Sequence, residues 1–307
     1  MLNLSRLQVL SEVIARGSFS AAAQALDYTQ SAVSQAVARL EAETGAQLVV
    51  RDRRGVRPTA AGATLLRHTQ LILAHVRAAE DELAAVLGLR GGRLRVASFP
   101  SAGATLMPQA VAAFRRLHPN VELSLAEGEP EEIIPRLHGG EFDLALLFGF
   151  GAETSRLEGL AVTPLFSDPL YAVLPVDHVL SRKHALTLAD LSSAEWVQTR
   201  DASPCARHVV RCCQAAGFTP RVSFESDDYE TVQGLVAAGV GVALIPRLAL
   251  TRVHPGIVVR ALEPASPVRA VMAATAEPPA AVPAAQAMLE LLRARAPEYA
   301  EGRIGLR

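Results

Sequence analysis

Lysine is all but missing from this chain: Lys183 stands alone among 30 basic residues, the rest being arginine, a compositional bias to which no function attaches. Patterns that carry chemistry are scarce as well. The 8 histidines are scattered, and neither a His-Glu-x-x-His nor a paired Cys-x-x-Cys spacing occurs, so no zinc-ligand pattern is present. Gly91-Gly92 and Gly239-Val240-Gly241 lack the context of a phosphate loop, and no Gly-x-Ser-x-Gly elbow offers a hydrolase nucleophile. These absences predict no metal, no cofactor and no enzyme activity. No apolar run approaches the roughly 20 residues of a membrane span. Met1-Leu2-Asn3-Leu4-Ser5-Arg6 leads directly into an amphipathic helix without a signal-peptide core, so the expected location is the cytoplasm, with no membrane partner.

What is present is size and apolar content: 307 residues, 50% of them hydrophobic, enough for roughly two to three domains with real cores. The net charge of −1 conceals a local excess, because residues 51–57 carry Arg51, Arg53, Arg54 and Arg57 against Asp52 alone.

That excess ends the most informative stretch, residues 18–62. Ser18 can cap a helix on which Phe19, Ala22, Ala23 and Leu26 share one face. Asp27-Tyr28-Thr29 interrupts it with turn-forming residues, and Thr29 caps a second helix expected from about Gln30 to Glu43. Two helices joined by a three-residue turn have helix-turn-helix spacing. In the second, Val33, Val37 and Leu40 make a core stripe, which leaves Ser31, Ser34, Gln35 and Ala38 for the other side. Small hydroxyls and an amide suit base edges in the major groove, and Arg39 beside them suits phosphate. A short strand, Gln47 to Val50, then leads into an arginine hairpin fitted to the DNA backbone or narrow groove. The DNA-contacting set expected here is Ser18, Thr29, Gln30, Ser31, Ser34, Gln35, Arg39, Arg51, Arg53 and Arg54.

From Thr59 a helical pattern continues to about Leu89. Leu65, Ile72, Ala79 and Val86 recur every seven residues, with Thr69, Val76 and Leu83 between them. Such a seam predicts pairing of two copies through Leu65, Ile72, Val76, Leu83 and Val86, and a dimer would read two half-sites.

The run from Ser18 to Gly62, with TQSAVSQAVARLE, the arginine wing and Thr59-Ala60-Ala61-Gly62 leading into a linker helix, resembles the LysR-type transcriptional regulators. The family usually has Leu-Phe where this chain has Leu48-Val49, a conservative core exchange. It often has Arg where Gln35 stands, a change that bears on operator preference. The resemblance implies a cytoplasmic regulator that binds double-stranded DNA and a small-molecule effector, self-associates as a dimer and further as a tetramer, and has RNA polymerase as a candidate partner.

Arg90-Gly91-Gly92-Arg93 marks a boundary, after which strands and helices alternate: Leu94–Ser98, Leu106–Leu117, Val121–Ala126, Glu131–His138 and Asp143–Phe148 form a βαβαβ unit that predicts a parallel sheet. A second alternation runs from Leu170–Pro175 through Leu188–Leu191, Glu195–Thr199, Cys205–Ala216, Arg221–Phe224 and Tyr229–Ala238 to Gly239–Pro246. Val268–Thr275 and Ala284–Arg295 then return to the first lobe. The expected fold is α/β: a winged helix-turn-helix over 1–58, a linker and dimerisation helix over 59–90, and an effector domain over 91–307. Its lobe I covers about 91–164 and 266–307, and its lobe II about 165–265. Two lobes joined by crossing strands resemble the type 2 periplasmic binding proteins, as the LysR-type resemblance also implies.

Ligands of such sheets sit beyond the carboxyl ends of strands. On one side are Ser98, Phe99, Pro100, Ser101, Glu127 and Phe148; facing them are Thr199, Arg200, Ser203 and Ser226. In family members the corresponding loops contact the inducer, which carries that role to Ser98, Ser101, Thr199 and Ser203. Ser226 and Asp228 also read as helix caps, and Glu127 could equally bond neighbouring backbone.

Cys205, Cys212 and Cys213 supply a rival reading, since peroxide-sensing members of the family carry a reactive pair in this region. A thiol-based sensor would join Cys205 with Cys212 or Cys213, but eight residues along a helix is about 12 Å, beyond disulfide reach unless the helix unwinds. A solute-binding protein or an enzyme on the same two lobes is a more remote reading, and the first leaves residues 1–90 unexplained.

Overall fold

The computed structural model describes residues 2–52, 55–86, 92–151, 157–183, 185–200, 203–277 and 282–300. The N-terminal unit is built from helix α1 (Leu4–Arg16), α2 (Phe19–Ala25) and α3 (Gln30–Thr44), followed by a hairpin of β1 (Val49–Asp52) and β2 (Gly55–Pro58). Asn3, Ser18 and Thr29 cap the three helices, each side chain accepting from a first-turn backbone N–H. Leu7, Leu10 and Val13 of α1 pack with Phe19, Ala22, Val33, Val37, Leu40 and Leu48 into one core. Each large apolar side chain removed from water there contributes about 1.5–3 kcal/mol.

The hairpin starts two residues later than the pattern predicts. Gln47 and Leu48 are held instead by side chains: Leu48 N–H donates to Glu41 Oε1 at 2.8 Å, and the Thr59 hydroxyl donates to Gln47 O at 2.7 Å. Helix α4 (Ala60–Val86) follows, 27 residues long. Its seam is not uniform. Leu65 is half-buried against the winged unit's own core and Thr69 is 0% exposed, so part of the Leu65 side chain serves an intramolecular contact. Ile72 at 39% and Leu83 at 59% are exposed, Val76 is half-buried, and the side chain of Val86 lies outside the described residues.

Lobe I begins with β3 (Arg93–Ser98), a single-turn helix α5 (Pro100–Gly103), α6 (Leu106–Leu117), β4 (Glu122–Glu127), α7 (Pro130–His138) and β5 (Leu144–Gly149). The parallel order β5-β3-β4 follows from the βαβαβ pattern. Helix α5 is unsignalled by periodicity because it is four residues long and starts at a proline.

Strand β6 (Leu160–Pro175) is the main departure from expectation, starting ten residues before Leu170. Pro164, Asp168 and Pro169 break its apolar alternation, yet it pairs along its first half with β11 and along its second with β9 and β10. Lobe II adds β7 (Glu195–Gln198), α8 (Pro204–Ala215), β8 (Arg221–Glu225), α9 (Tyr229–Ala237), β9 (Ala243–Pro246) and β10 (Ile257–Arg260), the last unanticipated. The strand expected from Gly239 begins only at Ala243, because Gly239 at φ 78° turns the chain after α9. Then β11 (Val268–Ala276) and α10 (Pro283–Ala300) return to lobe I. Among the described residues no helix is long and apolar enough to cross a membrane.

Candidate functional site

Two places bring chemistry-bearing residues together. The first is the outer face of α3. With Val33, Val37 and Leu40 turned inward at 0–2% exposure, Gln30, Ser31, Gln35, Ala38 and Arg39 are exposed and Ser34 is half-buried. Thr29 Oγ1 accepts from Ala32 N–H at 3.2 Å and lies 3.0 Å from Ser31 Oγ; the Ser18 hydroxyl is likewise engaged as a cap. These two residues therefore shape the helix entrances first. Arg51 stands over the Phe19 ring at 4.0 Å and reaches Ser34 Oγ at 3.4 Å, which sets the first wing cation beside the exposed helix face. Arg53 and Arg54 lie outside the described residues. The sequence reading missed Tyr28, which is 54% exposed at the entrance to α3. An aromatic in a turn reads as ordinary turn chemistry, and only its exposure singles it out.

Close approach fixes the wing. Val56 N–H donates to Gly17 O at 2.8 Å, and a Cβ on Gly55, at φ 114°, would stand 2.7 Å from the same oxygen. Glycine is required there both for the left-handed backbone and for the space.

The second place is the cleft between the lobes. Several expected ligand contacts are occupied by the protein itself. Ser98 is buried and donates to Phe99 O at 3.2 Å, while Ser101 Oγ accepts from Arg269 Nη2 at 2.7 Å. Phe99 is 0% exposed and meets Phe148 edge-on, centroids 5.0 Å apart. On the opposite wall Thr199 and Ser203 hydroxyls share a bond of 2.6 Å, and Ser203 caps α8. Arg200 is clasped by Asp227, through both its backbone N–H and its guanidinium. Ser226 accepts from Asp228 N–H at 3.2 Å, and Asp228 caps α9. Pro100, Ser101 and Glu127 do border an open cavity of about 590 Å³ that reaches across to Asp227, Asp228 and Tyr229. That volume is in the range of small-ligand sites.

Beneath the cavity lies a polar centre that sequence reasoning missed. Asp168 on β6 and Arg269 on β11 face each other in register, 0% and 1% exposed. Asp168 also accepts from Leu248 N–H of lobe II at 3.0 Å, and Arg269 Nη1 comes within 3.9 Å of Cys205 Sγ. Burial acts to lower the pKa of Arg269, but the charge and hydrogen bond of Asp168 together with Cys205 and Tyr229 outweigh it, and the net shift is upward. A charged residue inside each of two apolar strands was the available signal, in FSDPLYAV and in PVRAVMAA. Glu129 is half-buried at the start of α7, its Oε2 enclosed without a hydrogen-bond partner. Burial raises its pKa from 4.5 to about 7; Arg269 pulls it down, while Asp227, Glu131 and Glu132 push it up.

Residues 4–63 match the family described as bacterial regulatory helix-turn-helix protein, lysR family, and residues 87–297 match the LysR substrate binding domain. The probable HTH-type transcriptional regulator LrrA of Synechococcus elongatus is 35% identical over 97% of this chain and 98% of its own. The transcriptional dual regulator GltC of Bacillus subtilis is 29% identical over 84% and 85%, and OxyR of Escherichia coli 25% over 81% and 80%. Among solved structures, full-length OxyR from Pseudomonas aeruginosa superposes with a TM-score of 0.73 at 23% identity, covering 100% of this chain and 98% of the other. CbnR complexed with its target DNA gives 0.58 at 22%, covering 95% and 99%.

Proposed function

Because the chain belongs to the LysR family of bacterial transcriptional regulators, we propose that it reads an operator with the exposed face of α3 and holds the phosphate backbone with the wing. A small molecule between the two lobes then sets its activity. The observation that carries this reading is the geometry of α3: a capped helix whose apolar stripe is fully buried and whose other face, from Gln30 to Arg39, is free to enter a groove beside Arg51. Exposed Ile72 and Leu83 on a 27-residue helix support pairing of two copies along α4. A tetramer and a contact with RNA polymerase extend that arrangement, and a cytoplasmic site of action goes with it. The effector acts by preferring one relative placement of the DNA-binding pairs, since a ligand with equal affinity for both shifts nothing.

Some relatives are named hydrogen peroxide-inducible genes activator, which keeps a thiol sensor in view. Thiolate is the reactive form, and burial raises the pKa of Cys205, Cys212 and Cys213 alike. Metabolite sensing is therefore the reading adopted. Fluorescence anisotropy of the full chain on promoter fragments and on random duplexes tests the DNA role. Equal affinity for both at physiological salt would overturn it.

A further inference from the structure

One aromatic ring beside the reading helix is left out of the protein's own packing. Of the 4 tyrosines Tyr28 alone is exposed, at 54%, and it belongs neither to the core of the winged unit nor to the half-buried apolar residues packed on that core. Leu26, two residues earlier, does pack there. Among the described residues nothing accepts from the Tyr28 hydroxyl or donates to it.

The turn holds this residue in place from both ends. Helix α2 is followed by Asp27 at φ 57°, the one non-glycine in the left-handed region among the described residues; Asp27 N–H donates to Gln24 O at 3.5 Å and Tyr28 N–H to Ala23 O at 2.9 Å. These paired bonds are those of a Schellman turn, which asks of the residue at this position only an apolar contact with the helix just ended. Such a contact accounts for the covered part of the ring and leaves the phenol without a role. Thr29 then caps α3. Two residues of chain separate Tyr28 from Gln30, so their Cα atoms stand no more than about 7 Å apart. Arg51 reaches the same helix one turn further on, at Ser34. The reading face thus has a cation along its flank and a fixed, neutral hydroxyl group at its entrance.

We propose that Tyr28 is a DNA-backbone contact: its hydroxyl donates to a phosphate oxygen at the edge of the major groove, its ring lies against the adjoining sugar, and together they set the register of α3 on the base edges. The proposal rests on the operator-reading role of α3 and adds to it a contact of different chemistry from the wing. Tyrosine is among the side chains that bond phosphate oxygens, and such contacts fix orientation without reading sequence. An arginine on phosphate releases condensed counterions, so its contribution falls as salt rises; a neutral phenol releases none, and its contribution persists. Because the turn is already pinned, little backbone freedom remains for binding to remove.

The test compares the full chain with Tyr28→Phe and Tyr28→Ala by fluorescence anisotropy on promoter fragments and on random duplexes over a series of salt concentrations, with melting curves to report folding. Tyr28→Phe should melt as the wild type does and lose about three- to tenfold in affinity per bound subunit. The loss should be the same on both kinds of DNA and leave the salt slope unchanged. Tetranitromethane should nitrate Tyr28 ahead of the other tyrosines in the native chain, and saturating duplex should protect it, as mass spectrometry of the peptides reads out. Undiminished binding by Tyr28→Phe, with Tyr28→Ala weakened only in step with its melting temperature, would make the residue a turn former and overturn the proposal. So would nitration that DNA does not slow. A loss confined to promoter fragments would place Tyr28 on a base edge and overturn the phosphate assignment. Equal affinity of the wild-type chain for both kinds of DNA is a separate result that bears only on the regulator reading.

Discussion

Asp168 and Arg269 form an ion pair 2.9 Å long whose two side chains are each 1% exposed, set opposite one another on the two strands that cross between the lobes. A pair so deep stabilises little relative to apolar residues of the same shape, but breaking it strands a charge.

Arg269→Met should therefore lower stability by about 3–5 kcal/mol, and adding Asp168→Leu should recover much of the loss. Chemical denaturation of both variants checks this. A double variant as unstable as the single one would show that the cost lies in packing.

On the DNA side, Gln35→Ala should flatten discrimination between operator bases by about 1–3 kcal/mol while sparing affinity for random duplex. Arg51→Ala should weaken binding to every sequence and lower the salt slope by about 1. Salt-dependent anisotropy separates the two, and equal losses on both DNA types for Gln35→Ala would remove it from the base-reading set.

Gly62 lies in the first turn of α4 against the chain at Leu48, and any Cβ there would run into the Leu48 carbonyl oxygen. Gly62→Ala should cost about 3 kcal/mol in the winged unit, because neither backbone segment can yield without disturbing the Thr59 contacts. Thermal melts with DNA binding as a second readout check the effect.

Glu129 ties stability to pH. The folded protein holds its proton more tightly than the unfolded chain, so this group's contribution is fully present below about pH 4.5 and is lost as pH rises through about 7. Glu129→Gln should remove that slope and gain about 1–2 kcal/mol at pH 8, after discounting for partial exposure. Denaturation midpoints from pH 4 to 9 follow it, and parallel curves for variant and wild type would count against the assignment.

Thiol labelling of the native chain at pH 7 should reach half-buried Cys212 first and leave Cys205 and Cys213 protected, the latter with burial raising its pKa to about 12. DNA binding should be the same under mild oxidant and reductant. Rapid labelling of Cys205, or redox-dependent binding, would revive the thiol-sensor reading.

How far the sequence reached depended on whether local chemistry or distant pairing decided the outcome. Caps and stripes are local, so Ser18, Thr29, Val33, Val37 and Leu40 fall where their spacing puts them. The first half of β6 was illegible because partners far along the chain hold it: Leu160 pairs with Ala276, and Pro164 with Met272. In the cleft, strand ends gave the right neighbourhood but not the state of each side chain. Ser101 looks like a ligand donor until Arg269, 168 residues away, is seen to use its oxygen.

The continuity of β6 through both lobes also governs the order in which the chain can be made. Lobe I contains β3, β4 and β5 but is not closed until β11 and α10 arrive, after all of lobe II. During synthesis, emerging at about 5–20 residues per second, β5 must therefore wait with an edge uncovered while more than a hundred residues of the other lobe follow it out. A chain cut short after lobe II would release a molecule with its DNA-reading unit formed and its first sensing lobe open along one side.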